Sequence, residues 1–203
     1  MLLKKNGKNI LYEKGGYADL SQTALYFIGG ILYHGKSLVA LTNPSTNSYK
    51  RLLPGFEAPV KLIFGLANRS AAIRIPKYAT TEENKRFEFR TGDATSNPYL
   101  AISALIMAGV DGVKNKIDPT EHHHGPYDEN IFAWPEEKRN ALPAIPSNLE
   151  DALNELKQDN DYLRQGGVFS EMLIDGFIEE KMKEVVAVNE RPTAYEMNLY
   201  FNL

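Results

Sequence analysis

Residues 60–75 read Val60-Lys61-Leu62-Ile63-Phe64-Gly65-Leu66-Ala67-Asn68-Arg69-Ser70-Ala71-Ala72-Ile73-Arg74-Ile75, and residues 86–90 read Arg86-Phe87-Glu88-Phe89-Arg90. Apolar, β-branched and aromatic runs broken at Asn68 and by the charged stretch 76–85 predict three strands, over 60–66, 70–75 and 86–90. Sequential strands with connections this short favour antiparallel pairing. Alternation along the last run puts Arg86, Glu88 and Arg90 on one face and both phenylalanines on the other. With the helices predicted on either side, the chain reads as α+β, an antiparallel sheet with packed helices.

Upstream, Asn6-Gly7 lies between two short runs and supplies the two positive-φ positions of a type I′ hairpin turn. Ser21 can cap a helix whose apolar residues Leu20, Ala24, Ile28, Ile31, Leu38 and Leu41 recur mostly at three- and four-residue spacing and which should stop at Asn43-Pro44. Gly29-Gly30 and Gly35 within it point to close packing of another backbone. Residues 43–59 show no period and read as a long loop, of a length usually reserved for function. Downstream, Asn97-Pro98 opens a helix over 99–110, apolar on nearly all sides and therefore buried, that ends at Asp111-Gly112. Tyr99, Leu100, Ile102 and Leu105 are assigned to that buried helix. Residues 114–146 form an irregular excursion. Ser147 to Glu150 and Thr193 to Glu196 are capping boxes opening helices, with another helix near 171–186 between them, and Tyr200-Phe201 reads as a packing end. The expected organisation is a sheet and site core over 1–112, then an irregular segment and C-terminal helices over 113–203.

Composition narrows the function. The 203 residues carry 23 Lys+Arg against 26 Asp+Glu, a net charge of -3, and no cysteine. Thiol nucleophiles, disulfides and cysteine-ligated metals are excluded, and nothing favours nucleic-acid binding through bulk basicity. No apolar run approaches a membrane span of about 18 residues, so the expectation is a soluble, cytoplasmic protein. Adjacent His122, His123 and His124 stand in the irregular segment without carboxylates at ligand spacing, which leaves them as surface residues rather than a metal site.

Ionisable residues concentrate between Lys50 and Arg90. A carboxylate between two guanidinia, as in Arg86–Glu88–Arg90, is half of a phosphate-plus-metal site or, more blandly, a strand-face ion ladder. Arg69 and Arg74 on the neighbouring strands change the balance, because several guanidinia around one carboxylate repel one another unless anions fill the site. That favours a polyanion such as a nucleotide di- or triphosphate. Glu57, alone between Pro54 and Pro59, is either solubilising charge or the proton acceptor of a stiffened flap.

Three segments carry a resemblance: Asn43 to Pro59 (NPSTNSYKRLLPGFEAP), Ala67 to Pro76 (ANRSAAIRIP), and Arg86 to Arg90 followed by Asp93 to Ala101 (DATSNPYLA). They are similar, in order and spacing, to successive motifs of the glutamine synthetase catalytic domain, most of all in the prokaryotic type I enzymes. The resemblance implies a glutamine synthetase/guanidino kinase-like fold that ligates ammonia to the side-chain carboxylate of L-glutamate through an acyl phosphate made from ATP. It implies Mg2+ or Mn2+ as cofactor and a double-ring homo-oligomer. By motif match, Arg51, Arg69 and Arg90 resemble glutamate contacts. Arg69 and Arg74 match the arginines on the ATP phosphates, with Arg69 also catalytic. Arg86 resembles an adenylate-side contact, Glu88 a metal ligand, and Glu57 the flap carboxylate that contacts substrate and takes a proton from ammonium.

Departures from the family are equally informative. The N-terminal small domain, the histidine motif, most metal-binding glutamates and the substrate Asn/Gly loop have no counterpart here. The chain looks like a C-terminal portion of the catalytic domain, expected to be inactive alone. Phe132 stands where adenylylated members carry tyrosine. Two other readings stand beside this one: another carboxylate-amine ligase or guanidino kinase, and a non-catalytic assembly or regulatory module.

Overall fold

A computed structural model describes residues 1–53 and 59–201. β1 (Lys4–Lys5) and β2 (Lys8–Asn9) pair antiparallel with Lys5 opposite Lys8. Asn6 and Gly7 turn between them at φ 52° and 81°, as a type I′ hairpin requires.

Ser21 caps the first helix, accepting the amide of Ala24 at 3.1 Å. The single helix expected to run past Leu41 is two: α1 (Gln22–Tyr33) and α2 (Gly35–Thr42) meet at 75°. His34, at φ -83° and ψ 6°, leaves the helical region there, and the apolar period continues across the break because both helices face the same core. The expected loop over 43–59 also needs correction, since α3 (Thr46–Arg51) forms within it under a reciprocal Ser45–Ser48 capping box. Six residues are too few to show an apolar period.

Strand order in the main sheet is β3 (Lys61–Leu66), β4 (Ala71–Ile75), β5 (Glu88–Phe89). β4 and β5 are antiparallel, with Ile73 opposite Phe89 and Arg74 opposite Glu88. β3 and β4, however, run parallel, so the sheet is mixed rather than antiparallel within the expected α+β class. The five steps from Leu66 to Ala71 reach about 17 Å when extended, about the length of strand they retrace. Asn68 holds that return outward: its Nδ2 donates to the carbonyls of Tyr127 and Glu129 at 2.7 and 2.8 Å, instead of closing a hairpin turn. The other edge of β3 is taken by the irregular segment, through Phe64 N to His124 O at 2.9 Å and Leu62 N to Pro143 O at 2.8 Å.

Asn97 caps α4 (Pro98–Asn115), which continues through Asp111-Gly112 and ends at left-handed Lys116. Gly112 serves packing, not termination. A Cβ there would fall 2.2 Å from the carbonyl oxygen of Tyr26, and one on Gly30 would fall 2.1 Å from that of Ala108. The backbone contact predicted for these glycines holds for Gly30, against α4, and for Gly29, against the Ile117 carbonyl just beyond it, whereas Gly35 meets the side chain of Leu62 instead. One side of α4 is open, with Tyr99 84% and Ile102 55% exposed, contrary to the all-round burial expected. Beyond it come α5 (Glu136–Asn140), α6 (Leu149–Gln158), α7 (Asp161–Arg164), α8 (Glu171–Asn189) and α9 (Ala194–Tyr200). Asn148, not Ser147, caps α6; its carboxamide accepts the amide of Asp151 at 2.8 Å. The Thr193–Glu196 box caps α9 as expected, but Tyr200 and Phe201 are exposed rather than packed. One core joins α1, α2, α4, α6 and α7 to the sheet through Ile28, Leu38, Phe64, Ile73, Phe87 and Leu153. Among the described residues no single helix is long and apolar enough to cross a membrane.

Candidate active site

The β4–β5 register sets Arg74 against Glu88, and the guanidinium closes on one carboxylate oxygen: Nε and Nη2 lie 2.9 and 2.6 Å from Oε2. Both side chains are about a quarter to a third exposed, at 25% and 30%. At the neighbouring position Arg90 donates its amide to Ala72 O at 2.9 Å and its guanidinium to the carbonyl of Arg69. Arg69, Arg74, Glu88 and Arg90 thus share one region of the sheet. Arg86 turns to Tyr78, whose hydroxyl accepts Nη2 at 3.0 Å and whose ring lies 5.2 Å beneath the guanidinium.

Arg51, the last residue of α3, donates Nη2 to the carbonyls of Thr91 and Gly92 at 2.9 and 3.1 Å. It therefore meets the turn directly after Arg90, about forty residues away in the chain by separations of 40 and 41. Asp93 completes the turn. Burial opposes its charge, but the amide of Thr95, the hydroxyls of Ser48 and Thr95, and Arg51 prevail and hold the carboxyl below its usual range. Asp93 and Tyr78, which meet Arg51 and Arg86, are contacts that sequence reading did not anticipate. Asp93 stood inside a quoted motif without a role, and Tyr78 sat in a charged stretch with no periodic signal. Glu57 lies outside the described residues.

Among the described residues two guanidinium–carboxylate pairings stand here, Arg74 on Glu88 and Arg51 beside Asp93, and planar guanidinia of this kind suit an anionic ligand. A divalent ion fits less well on these residues alone. Glu88 already takes two donors from Arg74, and no group of three His, Asp or Glu side chains among the described residues is placed to hold a metal. The three histidines have separate fates. His124 is buried with Nδ1 2.6 Å from Leu62 O, and burial lowers its pKa; His122 lies edge-on to Tyr33 at 5.0 Å; His123 sits at φ 59°.

These elements make an α+β domain whose mixed sheet carries the Arg74–Glu88 pair. Comparison with known proteins gives the family. Residues 1–200 match the glutamine synthetase catalytic domain. The chain is 51% identical over 201 residues to the glutamine synthetase of Haemophilus influenzae, covering 99% of this chain and 41% of that one. A Plasmodium falciparum glutamine synthetase structure superposes with a TM-score of 0.82 at 31% identity, over 98% of this chain and 45% of that one. A GmaS/ADP complex gives 0.79 at 29% identity, over 97% and 43%. The chain belongs to the glutamine synthetase family and spans about two-fifths of the length of the curated relatives it matches.

Proposed function

We propose that the complete protein joins ammonia to the side-chain carboxylate of L-glutamate, using ATP to form an acyl phosphate, and that this chain supplies the arginine side of the site. The observation that carries the reading is the Arg74–Glu88 pair flanked by Arg69 and Arg90. Phosphoryl transfer needs positioning and neutralised charge more than covalent chemistry, which is what rigid guanidinia provide. Arg69 and Arg74 take the phosphates, with Arg69 also bearing on the transferred group. Arg86 stands on the adenylate side, while Arg51, Arg69 and Arg90 orient glutamate. ADP in the GmaS complex supports the nucleotide part of the reading. Glu88 would be one ligand to Mg2+ or Mn2+, but the described residues do not fit such an ion unaided. Assembly is a homo-oligomeric double ring in the cytoplasm.

Glu57 gives the decisive test. In the full-length protein Glu57→Gln keeps the side chain's shape and removes its charge. If Glu57 deprotonates ammonium, amide formation falls by about 2 to 4 decades, while glutamate phosphorylation continues and free phosphate appears in excess of glutamine. A near-wild-type rate with one phosphate per glutamine overturns the base assignment. The 203-residue chain alone should give no turnover with glutamate, ATP and hydroxylamine.

A further inference from the structure

The turn that receives Arg51 is held from beneath by the end of α2. Asn43 is fully buried, at 0% exposure. Its Nδ2 donates to Thr91 O at 2.9 Å, while its Oδ1 accepts the hydroxyl of Thr42 at 2.7 Å, which fixes the amide's orientation. Thr42 O in turn accepts the amide of Asp93 at 2.9 Å. Both sides of the turn 91–93 therefore hang on two adjacent residues, Thr42 at the end of α2 and Asn43 directly after it. The carbonyl of Thr91 has two lone pairs, one taken by Asn43 and the other by Arg51 Nη2 at 2.9 Å. The hydroxyl of Thr91 offers no alternative anchor, since it is buried without a partner among the described residues.

We propose that Asn43 is a positioning residue that sets Arg51, and with it the peptide carrying Arg90, in register for the substrate carboxylate. The assignment rests on the glutamate reading of those two arginines. The sheet holds Arg90 from one side through Ala72 O, and α2 holds the following peptide from the other. Without the amide donor, the Thr91 carbonyl keeps only Arg51, whose guanidinium then serves the backbone instead of being aimed by it. Aspartate has the same shape and can still accept from Thr42, but it places an oxygen against the Thr91 carbonyl. The donor is thereby separated from the volume it fills.

The test is a double-mutant cycle in the full-length protein, reading KM for glutamate and for ATP. Asn43→Asp should raise the glutamate KM about tenfold and leave the ATP KM within about twofold. Arg51→Lys should act similarly, and the double variant should be no worse than Arg51→Lys alone, because both changes break one coupled contact. Additive effects, or equal changes in both KM values, would show a merely structural role. If Asn43→Asp does not fold, Thr42→Val loosens the same amide more gently and should raise the glutamate KM by about two- to threefold; no change overturns the proposal. If the wild-type protein does not consume glutamate, the functional reading fails, and the positioning is read separately. Arginine-labelled NMR should then show the Arg51 guanidinium protons exchanging faster in Asn43→Asp, or in Thr42→Val if the first variant does not fold; unchanged exchange refutes it.

Discussion

Two ionic clusters in this molecule use the same kinds of atoms to opposite ends. Around β4 and β5, Arg74 closes on Glu88 and Arg51 lies beside Asp93 on a partly exposed surface. At the α1–α2 bend, one buried histidine serves two aspartates, Asp111 in the interior and Asp159 with its side chain 36% exposed. His34 Nδ1 lies 3.0 and 2.9 Å from the carboxylate oxygens of Asp159, and Nε2 lies 3.1 Å from Asp111. The ring stacks on Tyr162 at 4.0 Å. Ser37 donates to Asp159 at 3.0 Å, and Asn115 and Gln165 donate to Asp111. A neutral imidazole has one N–H and cannot serve both carboxylates, so this geometry calls for the imidazolium. Burial, the largest single influence, works against that charge, but Asp159 and then Asp111 outweigh it and raise the His34 pKa. Asp111 is held low in the same exchange, against its own burial. The difference lies in exposure: His34 and Asp111 are shut away from solvent, at 7% and 9% side-chain exposure, whereas the Arg74–Glu88 pair stays partly open to it at 25% and 30%.

The comparison breaks first if His34 can be removed cheaply. His34→Leu leaves Asp111 buried against a cation that is gone, and calorimetry should show a loss of about 3 kcal/mol or more, a fall in Tm on the order of 10 °C. A loss under about 1 kcal/mol would put this cluster in the same class as an exposed ion pair.

Arg74→Met sharpens the other side. In the full-length protein it should lower glutamine formation by about 10² to 10³ while stability changes by no more than about 1 kcal/mol, because the Arg74–Glu88 pair is partly solvated. Stability and activity falling together would mean that the sheet cluster is structural too.

The smallest effect is in pH. Because folding raises the His34 pKa, its contribution is fully present below the usual histidine value of about 6.5 and is lost as pH rises through the folded value. Asp111 has the opposite sign, contributing above its unfolded pKa and losing that contribution as pH falls through its depressed folded value. Thermal unfolding should therefore be most resistant on the mildly acid side of neutrality and weaken above it. His34→Gln should flatten the alkaline decline; an unchanged slope would assign the dependence to other groups.

Much of this was legible beforehand, for reasons that lie within a few residues. Asn6-Gly7, Ser21, Asn97 and Thr193 act on backbone groups at most a turn away, so their chemistry determined a hairpin and three helix starts without knowledge of the core. Alternation separated Phe87, in the core, from Glu88, beside Arg74. The three motif segments likewise carried the family resemblance, because they hold the chemistry in contiguous stretches.

Tertiary structure decided what depends on distant partners. The connection between the parallel strands β3 and β4 is tied through Asn68 to residues 59 and 61 positions away. The bend at His34 coincides with carboxylates 77 and 125 positions away, and the seating of Arg51 with a carbonyl 40 positions on. A local pattern states which groups a segment presents; only the closed fold sets a donor within 3 Å or so of its acceptor, the range in which hydrogen bonds and ion pairs act.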